Sequence, residues 1–151
     1  MLSLVRQRVF VFTILWIGFL LAISFMEAPL KFQAPSLTLP VGLEIGYLVF
    51  HALNGIELVL AAIIGAVTFS SKSRLRSLTA VLIFWLLAQT ILLYTKLDER
   101  TLAIINGETV PEAPYHLIYI GMEVVKLFML LYLAHAQIED NLPGSSKLPG
   151  R

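Results

Sequence analysis

Glu57, Glu123 and Lys126 each interrupt a long apolar run of this 151-residue chain. Ionisable groups are costly inside a bilayer, so those found there face a bundle interior, pair with one another and mark ion or proton pathways. Two carboxylates and one ammonium carry a net charge of −1 if all three are ionised. An uncompensated buried charge costs several kcal/mol. The expected state pairs Glu123 with Lys126 and leaves Glu57 protonated or hydrogen-bonded, as a group that handles a proton or a cation. The same side chains also act as interhelical glue, worth about 0.6–2 kcal/mol per hydrogen bond.

Helical spacing says what can meet these groups. Tyr119 is four residues before Glu123 and Lys126 three after it, so all three share a face. Asn54 is three residues from both His51 and Glu57 and is placed to bridge them. Tyr119 and Asn54 are therefore the expected orienting groups. His51 and His116 are candidate ligands for a b-type haem or a metal ion, with interfacial hydrogen bonding as the plainer reading. His135 follows near the end of the last apolar run, where it meets the helix dipole favourably.

Other chemistries are missing from the sequence. There is no cysteine, which excludes disulfides, thiolate metal sites, Fe–S clusters and c-type haem attachment. No Glu-x-x-His pair, His-Glu-x-x-His motif, phosphate loop or dinucleotide fingerprint occurs. No catalytic set is recognisable, which weighs against an enzyme. No basic stripe with interleaved aromatics points to nucleic acid.

The elements that must position these residues are membrane spans. Hydrophobic residues make up 58% and charged residues 14% of the chain, far from the balance of a soluble domain. A helical span needs roughly 20 mostly apolar residues. Four are expected, at about 9–26, 41–69, 78–95 and 115–136, within a single transmembrane domain 1–140. The strictly apolar part of the second, 58–69, is too short to cross, so the span must include Glu57, Asn54 and His51. Pro29, Pro35 and Pro40 mark the first connection as a segment that cannot be one regular helix. The Pro/Gly/Ser-rich stretch 141–151 reads as a disordered cytoplasmic tail. The expected architecture is an all-α integral membrane four-helix bundle.

Seven basic residues (Arg6, Arg8, Lys72, Arg74, Arg76, Lys147 and Arg151) fall on one side of this arrangement and three (Lys31, Lys96 and Arg100) on the other. That bias puts both termini in the cytoplasm. Arg6 and Arg8 before an apolar run, with Ala22-Ile23-Ser24 after it, also resemble a signal peptide, but cleavage would remove a helix that the bundle needs.

A short internal repeat links the two polar spans. Gly55-Ile56-Glu57-Leu58-Val59-Leu60 returns as Gly121-Met122-Glu123-Val124-Val125-Lys126. Counted back from Ser70 and Ala136, Glu57 and Glu123 are both 13 residues deep. The expectation is two related helical hairpins with the glutamates in one layer. Gly42-x-x-x-Gly46 lets another backbone approach, within the chain or in a homo-oligomer. Trp16, Trp85 and Tyr94 read as lipid-facing or interfacial aromatics.

Ala28-Pro29-Leu30-Lys31-Phe32 after the first span, then Gly42-x-x-x-Gly46-x-x-x-Phe50, resembles the transmembrane protein 205-like family of four-helix membrane proteins. His116, opening the last helix, matches a histidine often found there. The resemblance implies the fold. An association of a eukaryotic relative with drug and metal resistance lends a transport role some weight. Glu57, Glu123 and Lys126 have no match in that pattern. The sequence thus points to a multi-pass bacterial inner-membrane protein, of transport or membrane-accessory type, whose one certain partner is the lipid bilayer. A haem or metal protein and a structural partner in a membrane complex are the alternatives.

Overall fold

The computed structural model describes residues 2–70 and 73–141, with side chains from Val9 to Asp140. The expected tail, apart from Asn141, and Lys72, Lys147 and Arg151 lie outside the described residues. Helix α1, Leu2–Leu20, buries Val9, Thr13, Trp16, Ile17 and Leu20, the i, i+4, i+7, i+8 stripe of an amphipathic helix. The helical backbone does not stop there. A π-helical stretch, Leu21–Glu27, carries it into α2, Ala28–Lys31. Pro29 lies within this continuous backbone, just after the π-helical stretch, and the chain leaves helical geometry from Phe32 to Thr38, so the first connection is not one regular helix, as its prolines require. The first apolar helix therefore runs from Val9 to Lys31.

Helix α3, Leu39–Ser70, is the longest, and Pro40 sits in its first turn, where a missing N–H and a fixed φ cost little. Its 32 residues span roughly 48 Å at 1.5 Å per residue, more than a ~30 Å hydrocarbon core. Helix α4, Arg76–Leu92, passes through a second π-helical stretch, Leu93–Leu97, into α5, Asp98–Ile105. The segment after residue 95, expected as loop, is thus helical as far as Ile105. Gly107, with φ +80°, then ends it, in a conformation that glycine adopts freely. Helix α6 is Tyr115–Asn141.

Among the described residues, four helices are long and apolar enough to cross a membrane, and they make this a multi-pass membrane bundle. Each packs on its neighbours in chain order and α6 closes back on α1, so α3 and α6 face each other across one diagonal. Toward the chain ends the interior is apolar, with Leu20, Leu60, Ile64, Leu82, Leu86, Leu130 and Leu133 buried together. Arg74, in the α3–α4 connection, pairs with Asp140 at 2.6 Å and Glu139 at 3.6 Å, tying that turn to the end of α6. The opposite, distal end holds α2, both π-helical stretches, and α5 packed on the first half of α3.

Within the chain, the nearest neighbours of Gly42 and Gly46 are side chains. A Cβ on Gly42 would lie 2.5 Å from the Phe32 ring, and one on Gly46 would lie 3.0 Å from Lys31 Nζ. The glycines form a groove that takes in those two side chains.

Candidate functional site

The centre of the bundle is a polar network to which each of the four long helices contributes. Glu57 comes from α3, and Glu123 and Lys126 from α6, one turn apart. All three are at most 2% exposed. Lys126 Nζ lies 2.6 Å from Glu57 Oε1 and 2.8 Å from Oε2, and also 2.8 Å from Glu123 Oε1. The ammonium therefore bridges both carboxylates across the diagonal, where the sequence reading had it holding Glu123 alone.

Three neutral donors complete the network. Trp16 Nε1 of α1 donates to Glu57 Oε1 at 2.8 Å. Gln89 Nε2 of α4 donates to Glu123 Oε1 at 2.5 Å. The Ser24 hydroxyl, from the first π-helical stretch, donates to Glu123 Oε2 at 2.8 Å. Asn54 does not bridge His51 and Glu57; its Nδ2 donates to the Thr90 hydroxyl at 2.8 Å. Asn54 Oδ1 and Gln89 Oε1 are buried without a hydrogen-bond partner among the described residues. Tyr119 is buried one turn before Glu123, its ring edge-on to Phe50 with centroids 5.5 Å apart.

Each buried charge is multiply bonded, as the low dielectric requires. Two carboxylates still face one ammonium. The arrangement has room for one more positive charge, whether a proton shared within the cluster or a cation beside it.

Trp16 was expected to face lipid and is instead fully buried, because its indole N–H satisfies a carboxylate. Trp85 is half-buried and donates to the Met122 carbonyl at 3.1 Å. Nothing in the sequence distinguishes these two tryptophans, nor singles out Gln89 and Ser24, since neutral residues in an apolar run read alike on either face. The one available signal was phase: Trp16 shares a stripe with Thr13 and Leu20.

The histidines do not share a common space. His51 Nε2 lies 3.0 Å from Asp98 at the start of α5, with its ring packed against Tyr47 and Tyr94, both with centroids at 4.3 Å. His116 lines a cavity that His51 does not. Among the described residues no group of three or more His, Asp and Glu side chains is arranged to hold a metal ion. His135 is exposed, 3.5 Å from Glu139.

That cavity occupies the distal half, with a volume of about 550 Å³. It lies between the first π-helical stretch, α2, the start of α3, α5 and the start of α6. Its walls are mainly apolar and aromatic, and Glu123, with Ser24 beside it, belongs to its lining, whereas Glu57 and Lys126 do not. Lys31 and Arg100 also line it; Lys31 pairs with Glu27 at 3.4 Å and Arg100 donates to the Pro111 carbonyl.

Comparison with protein-family models, curated proteins and solved structures finds no match to this chain. The resemblance to the transmembrane protein 205-like family thus rests on its short motifs.

Proposed function

We propose that this is a transport-type or membrane-accessory protein in which the Glu57–Lys126–Glu123 cluster handles a proton or a monovalent cation. The observation that carries the reading is the bridged triad itself, with two buried carboxylates sharing one ammonium at 2.6–2.8 Å. Such a cluster gains or loses one charge at lower cost than an isolated group, because Lys126 can redistribute between the two glutamates. Glu123 is the group of exchange with the distal cavity, since it alone of the three lines that space. Glu57 is its inner partner, held by Trp16. The unpartnered carbonyl oxygens of Asn54 and Gln89 add two acceptors for a proton-bearing donor in the same region.

The Lys/Arg bias of the connections supports a bacterial inner-membrane setting with both termini cytoplasmic, so that the cavity opens away from the cytoplasm. The test is proton uptake by liposomes containing the purified protein, followed with a trapped pH dye. Glu57→Gln and Glu123→Gln are each expected to lower the rate at least tenfold. Full activity in either variant would refute the assignment.

A further inference from the structure

We infer that the distal cavity is a site for a lipophilic organic monocation whose charge lies beside Glu123. This rests on the reading above and names a class of ligand for it. The cavity, at about 550 Å³, falls in the ~300–1,000 Å³ range of small-molecule sites, and its lining has the usual make-up of apolar walls with a few fixed polar groups. It reaches the triad at Glu123, the member that lines it. Glu123 Oε2 accepts the Ser24 hydroxyl, and the Tyr119 hydroxyl, also in the cavity lining, hydrogen-bonds to the same carboxylate, whereas Oε1 accepts both Gln89 and Lys126. Lys126 bonds Oε1, so among the described residues Oε2 has hydroxyl company and no cation.

A second, independent observation concerns the walls. The Lys31 ammonium already lies 5.5 Å from the centroids of both Phe32 and Phe50. These rings form an aromatic seat for positive charge, of the kind that attracts organic ammonium groups. Gly46 makes the seat possible, since a Cβ there would come within 3.0 Å of Lys31 Nζ. Lys31 is thus a tethered cation in a place suited to a free one. With Glu27 3.4 Å away, it has an alternative partner when the seat is taken.

An anionic ligand would instead use Lys31 and Arg100, and the two cases respond oppositely to loss of Lys31. The experiment measures binding of tetraphenylphosphonium, and of tetraphenylborate as the anion of matched shape, to the full chain in phosphatidylcholine nanodiscs. Wild-type protein is expected to bind tetraphenylphosphonium saturably. Glu123→Gln should weaken that binding at least tenfold, and Lys31→Gln should strengthen it severalfold by removing the tethered competitor. Phe50→Leu leaves the triad intact and should weaken it severalfold, which keeps the test alive if Glu123→Gln does not fold. Preferred binding of tetraphenylborate, lost in Lys31→Gln, overturns the proposal. So does tetraphenylphosphonium uptake that is equal in wild-type, Phe50→Leu and protein-free discs. Proton uptake by wild-type liposomes without the probe separates the two readings. If uptake persists while the cation does not bind, the ligand class fails and the proton role stands. If the cation binds and no proton moves, the proton role fails and the cation site stands.

Discussion

The two hairpins of the bundle are built to one plan and differ at one decisive position. In each, the second helix presents a buried glutamate, Glu57 or Glu123, and the first helix supplies an N–H to it, from Trp16 or Gln89. In each, a π-helical stretch begins just beyond that donor, at Leu21 or Leu93. π-Helical turns within α-helices cluster at functional sites, and here both fall in the half that holds the cavity. The difference is three residues after the glutamate, where hairpin one has Leu60 and hairpin two has Lys126. Leu60 joins the apolar core, whereas Lys126 reaches across the diagonal to the other hairpin's carboxylate. A near-symmetric scaffold thus holds one asymmetric charge. That asymmetry is why the cluster carries two acids against one base.

The sharpest way to break the comparison is to move the ammonium. Lys126→Leu makes hairpin two match hairpin one and leaves both carboxylates buried without a cation. It should cost about 3–5 kcal/mol, the usual penalty for removing one partner of a buried ion pair. Thermal unfolding in detergent would register this as a large drop in Tm. Adding Leu60→Lys, which restores an ammonium three residues from Glu57, should recover a substantial part of it. No recovery would mean that the hairpins are not interchangeable at this position.

A smaller effect tests the donors. Trp16→Phe removes the N–H from Glu57 and should cost about 1–3 kcal/mol. Gln89→Met should cost less, because it deletes a donor to Glu123 but also deletes Oε1, a buried acceptor with no partner. Equal losses in Tm would argue that the amide carbonyl is satisfied. Smallest of all, Arg74→Ala should change stability by about 0–1 kcal/mol, since its pairs with Glu139 and Asp140 lie on the surface. A larger loss would show that the chain-end half depends on that tie as well as on its apolar core.

The sequence makes the four spans and the charged triad legible for the same reason: charge and hydropathy are properties of residue type alone. Glu57, Glu123 and Lys126 stand out because nothing around them is charged. The repeat even places the two glutamates at one depth. What it leaves unread depends on direction. Trp16 turns inward and Phe84 outward, 72% exposed, yet both are single aromatics in apolar runs. The π-helical stretches shift helical phase in a way that a 3.6-residue period cannot follow, so Ser24 and the cavity beside it could not be placed. The prolines were legible as a break in the first connection, but not where within it the helix would end, at Lys31.

The bridged triad also sets an order of events during synthesis. Lys126 lies 69 residues downstream of Glu57, so Glu57 is made before its ammonium exists. Helix α6 arrives with its own counter-ion, Glu123 and Lys126 being three residues apart. Helix α3 does not, and for that interval the direct partner of Glu57 already made is Trp16, 41 residues upstream. The first hairpin is therefore made with an acid whose cation comes later, and the second brings the ammonium that joins the two.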